Sequence, residues 1–286
     1  MKNTIVITAF NRPRLFEDCL QSCLAQNQIH DYNLVVIRQK GNDELAQLID
    51  RYSNFFSTVV ETDPSGSSSA SMITNNRILG YYIGFEFWKS KFVVALEDDV
   101  VISKDALSFV EYIYTHYNSD SKFRGVNFGS QLEYLESRES KYSQLRYGMH
   151  GPASMITNKT WKSIKPNNIM KNYTIDFDAQ IEFALKSGYM ITPNVSRYKD
   201  QGVLGTHSDG NSNLDYFTNL ENSFVTGNTN HLSYFLYNEE PRWRNDCIIY
   251  KPKDNAKYYF KMVLYRYVRR YSVLFNYIFK LRKTFS

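Results

Sequence analysis

The sequence predicts an α/β fold, a single domain with a mostly parallel central sheet flanked by helices. Two observations carry this. Short β-branched, apolar runs alternate with stretches of helical periodicity from residue 4 to about residue 100, and the last of these runs, Phe92–Leu96 (FVVAL), leads directly into Glu97-Asp98-Asp99. Strands alternating with helices imply βαβ units. In such sheets ligands bind beyond the carboxyl ends of strands, near the point where strand order reverses, and the acidic triplet sits at such an end.

The elements follow in order. Thr4–Ala9 (TIVITA) reads as a buried strand. Asn11-Arg12-Pro13 ends it, and Pro13 suits the first turn of a helix over Leu15–Ala25. Leu34–Ile37 is a second buried strand, Asp43–Tyr52 a helix with Leu45, Leu48 and Ile49 on one face, and Ser57–Glu61 a third strand. Asp63-Pro64-Ser65-Gly66-Ser67-Ser68-Ser69 is a loop by composition, and Ile73–Trp88 is helical. Beyond about residue 125 the pattern is less regular. Gly125–Gly129 and Ser154–Thr157 are weak strands, Asp176–Ser187 is a helix, and Lys199 to Asn213 is a loop rich in Gly, Ser and Asn. No internal repeat is visible.

Composition narrows the function classes. The chain has 286 residues, of which 43% are apolar and 22% charged. That supports a substantial core and argues against wholesale disorder. Aromatics reach 16%, which favours sugar, lipid or base contacts beside core packing. Three cysteines (Cys19, Cys23, Cys247) make no disulfide framework; Cys19 and Cys23, four apart on a helix, read as small core residues. No apolar run approaches the roughly 20 residues of a spanning helix. The stretch Ile5 to Phe10 is too short for a signal peptide, so a cytoplasmic location is expected.

Charge is unevenly placed. The formal net charge is +5, yet residues 257–286 carry eight basic and no acidic residues, which leaves −3 for residues 1–256. A nucleic-acid binder spreads basic charge over a folded surface, so no nucleic-acid partner is expected. On a helical projection of 257–286, Phe260, Leu264, Tyr267, Tyr271, Leu274, Phe275 and Ile278 share one side. Lys261, Arg266, Arg269, Arg270, Lys280 and Lys283 lie largely on the other. That pattern fits a basic amphipathic helix on an anionic membrane surface; a helix docked on its own domain or on another subunit uses the same aromatic face. The expected organisation is one domain over 1–215, with a first half to about 100 and a second half beyond. An extension over 216–256 and the basic tail follow.

Consecutive carboxylates repel, so the triplet calls for a compensating partner. A divalent cation, Mn²⁺ or Mg²⁺, held with one or two carboxylates and bridging to substrate phosphates, is one. A helix N-terminus is the other, since it favours nearby acids, but Ser103 and Asp105 just downstream could fill that capping role, which weakens this second reading.

At this point the residues resemble a known family. VALEDDVVISKDALSFVEYI resembles the acidic motif and following helix of GT-A glycosyltransferases, Rossmann-like enzymes, and is most similar to the N-acetylglucosaminyltransferase I family. IVITAFNRPRLFEDCL resembles that family's first strand, Arg turn and helix, and TIDFDAQIEFALKSGYMITPNVSRYKDQGVLGTHSDG its catalytic segment, Pro-x-x-Ser-Arg strand and Gly-rich loop. The resemblance covers about residues 4–210.

The resemblance implies an inverting, metal-dependent transfer of a sugar from a nucleotide-sugar donor, a UDP-sugar first, to a hydroxyl of a glycan or lipid-linked glycan acceptor. Asp99 fits the metal-holding acid, and Glu97, with Asp98 beside it, the donor contact. Arg12 fits the Arg near the nucleotide, and Arg77, with Asn76, the phosphate contact on the preceding helix. Asp176 fits the catalytic base, with Asp178 as the alternative, since the sequence reads Ile175-Asp176-Phe177-Asp178. An N-cap role accounts for Asp176 equally well. His207 fits either a late metal ligand or an exposed loop residue, and His150 either an acceptor contact or a turn residue. The family's uracil-reading acid has no counterpart in Arg38-Gln39-Lys40-Gly41. Gly202, Gly205 and Gly210 would close over the donor. Trp88 and Trp161 read as core. With the tail, this places the protein on the inner face of a bacterial membrane, in surface-polysaccharide synthesis. Two other classes are a sugar-1-phosphate nucleotidyltransferase, which lacks its glycine-rich loop here, and a non-catalytic carbohydrate-binding protein.

Deleting residues 257–286 is expected to move the protein from the membrane to the soluble fraction while donor hydrolysis persists. Unchanged partition on ultracentrifugation would count against the membrane-surface helix.

Overall fold

The computed structural model describes residues 2–63, 69–129, 142–145, 152–164, 188–193 and 197–202. Strand β1 (Asn3–Ala9) leads into helix α1 (Pro13–Leu24). Pro13 takes the first helical position, where its missing N–H costs no hydrogen bond. Phe16, Cys19, Leu20 and Cys23 recur at helical spacing and are buried. Strand β2 (Tyr32–Gln39) precedes α2 (Asp43–Arg51), whose N-cap Asn42 accepts from the Leu45 N–H at 2.7 Å. Then come β3 (Thr58–Thr62) and α3 (Ser69–Tyr82), the latter ending in one wider turn, Ile83–Phe87. Strand β4 (Phe92–Glu97) is followed at once by the short β5 (Val100–Ile102) and by α4 (Ala106–Tyr117).

The remaining described elements are β6 (Phe123–Asn127), β7 (Tyr142–Leu145), β8 (Ala153–Thr157), α5 (Asn158–Ser163), β9 (Tyr189–Pro193) and β10 (Tyr198–Asp200). Eight strands make one sheet in the order β3-β2-β1-β4-β8-β6-β9-β7, in which β8 and β7 run against the others. The expected mostly parallel α/β architecture is therefore present. The expected helix over Asp176–Ser187 and the tail over 257–286 lie outside the described residues.

Strand order reverses at β1. The chain steps outward from β1 to β2 and β3, then crosses back to lay β4 on the other side of β1. Both flanking pairs are parallel, and Thr8 of β1 stands opposite Glu97 of β4. The carboxyl ends of β1, β2 and β4 therefore open on one edge, where such sheets bind ligands.

Each face of the sheet is covered, which is why the central strands are continuous apolar runs rather than alternating ones. Ile5, Ile7, Val36, Val94 and Leu96 face one core with Phe16, Leu20, Leu45, Leu48, Val110 and Ile113 of α1, α2 and α4. Val6, Val35, Ile37 and Val93 face a second with Ile78, Tyr81, Phe85 and Trp161. Trp161 is core, as expected from the sequence; its ring stacks on Phe85 and its Nε1–H donates to Glu86 at 2.8 Å. Cys19 and Cys23 are buried free thiols.

Two glycines mark close approaches. A Cβ at Gly80 would stand 2.3 Å from Val6 Cγ1, so α3 lies tight against β1. A Cβ at Gly125 would stand 2.1 Å from the Met155 carbonyl oxygen, in the β6–β8 ladder. Gly125→Ala is accordingly expected to cost at least about 1–3 kcal/mol, because the neighbour is backbone and cannot turn aside. The check is the urea midpoint, and an unchanged midpoint would show that the ladder gives way freely.

Candidate functional site

The triplet leaves β4 at the edge where strand order reverses, and its three side chains go different ways. Glu97 is partly exposed and pairs with Arg77 of α3. Asp98 is buried: one oxygen accepts from the Phe10 N–H at 3.1 Å and the other is bound by the Arg12 guanidinium. Asp99 is also buried, and Arg12 reaches it with its second nitrogen, Nη1 to Oδ2, at 2.6 Å. One guanidinium thus bridges two consecutive carboxylates. The register of β1 against β4 makes this possible, since the residues just past Ala9 emerge beside those just past Leu96. A planar fork with several N–H donors suits such a bridge better than an ammonium would.

The expectation that Arg12 lies near the nucleotide meets a more specific finding: in this structure the side chain is the counter-ion of Asp98 and Asp99. Asn76 is buried and accepts from Thr62 Oγ1 at 3.0 Å, so it ties α3 to the end of β3. At the end of β2, Arg38 pairs with Glu61 of β3. Asp176 and Asp178, His150 and His207 lie outside the described residues.

The capping expectation for α4 is corrected. Asp105 stands at the N-cap but accepts no first-turn N–H; the Ala106 N–H donates to the Ser103 carbonyl instead. The Asp105 carboxylate is taken by Ser103 Oγ at 2.6 Å and by Arg197 Nε at 3.0 Å. Arg197 is itself buried, with its guanidinium over the Phe109 ring. This buried pair outcompetes the cap because both charges are removed from water and each needs the other.

Arg197 brings in a residue that the sequence reading did not single out. Strand β10 pairs antiparallel with β5, placing Asp200 opposite Val100, and the Gln201 N–H donates to the Asp99 carbonyl at 2.8 Å. Asp200 therefore faces the triplet. Its carboxyl is pushed up to about 6, by burial first and then by the charge of Asp99. Asp98 is also pushed up to about 6, by burial, with Arg12 and the Phe10 N–H opposing. The signal for Asp200 was in plain view, an acid three residues after Ser196-Arg197, but the pairing that aims it was not.

The residues present fit a divalent cation in one respect. Asp99 Oδ1 is buried and without a partner among the described residues. Two guanidinium groups, Arg12 and Arg77, stand against four carboxylates, Glu97, Asp98, Asp99 and Asp200, so the local charge is net negative. Among the described residues no group of three or more His, Cys, Asp or Glu is arranged to hold a metal. Any cation here would take Asp99 and at most one further protein carboxylate among the described residues, with its other ligands from a bound substrate, from water or from beyond the described residues.

Removing the bridge exposes its sign. Arg12→Ala leaves Asp98 and Asp99 without their cation and is expected to destabilise the protein by about 2–3 kcal/mol at pH 7. Asp98 is bound to its proton more tightly folded than unfolded, so its contribution is full below about pH 4 and is lost as pH rises through about 6. Without Arg12 that loss deepens, and the penalty should shrink at pH 5. Urea unfolding at both pH values reads it; equal penalties would contradict the charge bridge.

Comparisons with known proteins now bear on the site. No curated protein sequence matches the chain. Among solved structures it is similar to S. aureus TarS 1–349 in complex with UDP, at 15% identity and TM-score 0.49, over 69% of this chain and 59% of that one. It is also similar to the mannosyltransferase PcManGT from Pyrobaculum calidifontis in complex with GDP-Man and Mn²⁺, at 12% identity and TM-score 0.44, over 69% and 58%. A third is the glycosyltransferase GlyE of Streptococcus pneumoniae, at 14% identity and TM-score 0.38, over 65% and 44%. The chain thus spans less than two thirds of each. The family described as glycosyltransferase like family 2 matches residues 2–180, well over half of the sequence, and the chain belongs to that family.

Proposed function

We propose that this protein is an inverting, metal-dependent glycosyltransferase that moves a sugar from a nucleotide-sugar to a hydroxyl of a glycan acceptor. The observation that carries the reading is the place of Asp99. It lies at the carboxyl end of β4, beside the reversal of strand order, with one buried carboxylate oxygen unpartnered among the described residues. Membership of glycosyltransferase family 2 supplies the reaction class. The narrower likeness to the N-acetylglucosaminyltransferase I motifs supports the individual roles and is part of the proposal.

In this reading Asp99 holds Mn²⁺ or Mg²⁺. When bound, the ion neutralises the leaving diphosphate as a Lewis acid. The chain's own residues do the rest. Arg77, already paired with Glu97 at the mouth of the site, turns toward phosphate, and Glu97 so released accepts from a donor hydroxyl. Arg12 keeps Asp98 and the far oxygen of Asp99 in place, so that the near oxygen points one way only. Asp176, or Asp178, takes the proton from the acceptor hydroxyl as its oxygen attacks the anomeric carbon, and a single in-line displacement inverts that centre. Holding the two sugars in line supplies much of the acceleration. The proposed donor is a UDP-sugar. The acceptor is a glycan or lipid-linked glycan of bacterial surface polysaccharide, reached at the inner face of the membrane through 257–286.

The test is turnover of a panel of UDP-, GDP-, CMP- and dTDP-sugars with Mn²⁺, read as released nucleotide. Wild type should hydrolyse or transfer from one of them. Asp99→Asn and Asp176→Asn should each lower kcat at least about a hundredfold, by losing charge stabilisation and the base respectively. A protein that binds sugars but releases no nucleotide from any donor is a binding protein on this fold. Near-normal turnover by Asp176→Asn would move the base to Asp178.

A further inference from the structure

We infer that Asp200 is the second protein carboxylate of a divalent-cation site whose first is Asp99. The inference deepens the metal part of the proposed function and is independent of which sugar is transferred. Three observations meet at this point. The backbone after β10 is bonded to the triplet itself, through the Gln201 N–H on the Asp99 carbonyl, and the β5–β10 register holds Asp200 beside it. Position 202 has room for no side chain: a Cβ there would fall 2.1 Å from Asp99 Oδ2 and 3.1 Å from Asp200 Oδ1. Asp99 Oδ2 and Asp200 Oδ1 therefore stand within about 5 Å of each other across a glycine, which sets the two carboxylate groups side by side. Finally, Asp99 Oδ1 is buried and accepts no hydrogen bond from any described residue, although Oδ2 of the same carboxylate holds Arg12.

Two carboxylates brought this close repel unless something positive joins them. Arg12 is already committed to Asp98 and to the other oxygen of Asp99, and Arg197 to Asp105. The Gly202 N–H, which donates to Asp200 Oδ1 at 2.7 Å, orients that carboxylate but adds no charge. A small divalent ion has the right size. Ligand oxygens on one Mg²⁺ lie about 2.1 Å from it, so two of them can be up to roughly 4 Å apart, the scale on which two neighbouring carboxylates share an ion. The ion takes the oxygen that Arg12 leaves, so guanidinium and metal share the carboxylate of Asp99 rather than compete for it. One or two carboxylates with the remaining positions left to water and diphosphate is the usual way such an ion is held at a phosphate site. Glycine at 202 lets the two carboxylates approach, because a side chain there would meet Asp99 Oδ2.

The experiment titrates the full-length protein with Mn²⁺ and follows the electron paramagnetic resonance of free Mn²⁺, alone and with UDP present. Asp200→Asn keeps an acceptor for the Gly202 N–H and removes the charge; Asp200→Ser is the second variant. Each should weaken Mn²⁺ binding at least about tenfold, with the metal-free Tm unchanged or raised, and Asp99→Asn should abolish it. Variants that bind Mn²⁺ as tightly as wild type overturn the assignment of Asp200, and so does a wild type that binds none in either condition. Nucleotide release from the donor panel, measured in parallel, separates the two readings. Mn²⁺ held through Asp99 and Asp200 without release upholds the cation site and defeats the transferase, whereas release that ignores EDTA and the Asp200 variants does the reverse.

Discussion

The bridge from Arg12 to Asp98 and Asp99 is the constraint on which the site depends. A buried parallel strand that ends in three acids would normally drive its own end into water. Here one guanidinium, delivered by the turn after β1, holds two of the three carboxylates inside the protein. The third, Glu97, keeps contact with solvent and with Arg77. Everything that puts Arg12 there is local to the sheet: parallel pairing of β1 with β4, Thr8 opposite Glu97, and Pro13 starting α1 so that the turn is short. The sheet and the site are in this sense one device, because the pairing that makes the core also aims the charges.

A buried ion pair is weak ground for claiming stability, since removing the charges from water offsets their attraction. The arrangement is better understood as holding a strained electrostatic state in a fixed geometry. Two guanidinium groups do not neutralise Glu97, Asp98, Asp99 and Asp200, and burial first, with the charge of Asp99 adding to it, pushes the carboxyls of Asp98 and Asp200 up to about 6. A pocket left negative in this way favours any cation that can reach it. Sites that break the ordinary rules of burial are commonly functional ones, with the cost met elsewhere in the fold.

The acid from beyond the triplet is carried by the second, smaller sheet. Strands β5 and β10 are only three residues each, and two strands alone are marginal in water. They are held by the buried pair of Arg197 with Asp105, by the Arg197 N–H on the Phe128 carbonyl at 2.7 Å, and by the Ser103 N–H on the Arg197 carbonyl at 2.9 Å. Arg197 thus anchors the segment that carries Asp200. An arginine that sequence comparison alone would leave as half of a Ser-Arg motif acquires a physical role, because it fixes the distance between two acids that are 101 positions apart in the chain.

What the sequence by itself determined is the class of fold and the location of the acids. Continuous β-branched runs can be buried only in a sheet covered on both faces, and an apolar run that stops at Glu97-Asp98-Asp99 puts charge at a strand end whatever the rest of the chain does. Helices α1 and α2 and strands β1 to β4 were legible for the same reason, since their signals are short-range and periodic. The partners of those acids were not. Arg12 and Asp99 are 87 positions apart and meet only because β4 returns to the far side of β1; β5 is too short to show a pattern, and Asp105 has the composition of a cap until Arg197 claims it. Which carboxylate oxygen is satisfied, which is left over, and that a glycine rather than a side chain lies against the carboxylate, are properties of distances across the sheet. Only the tertiary structure decides them, because electrostatic partners are chosen by proximity in space and carry no periodicity along the chain.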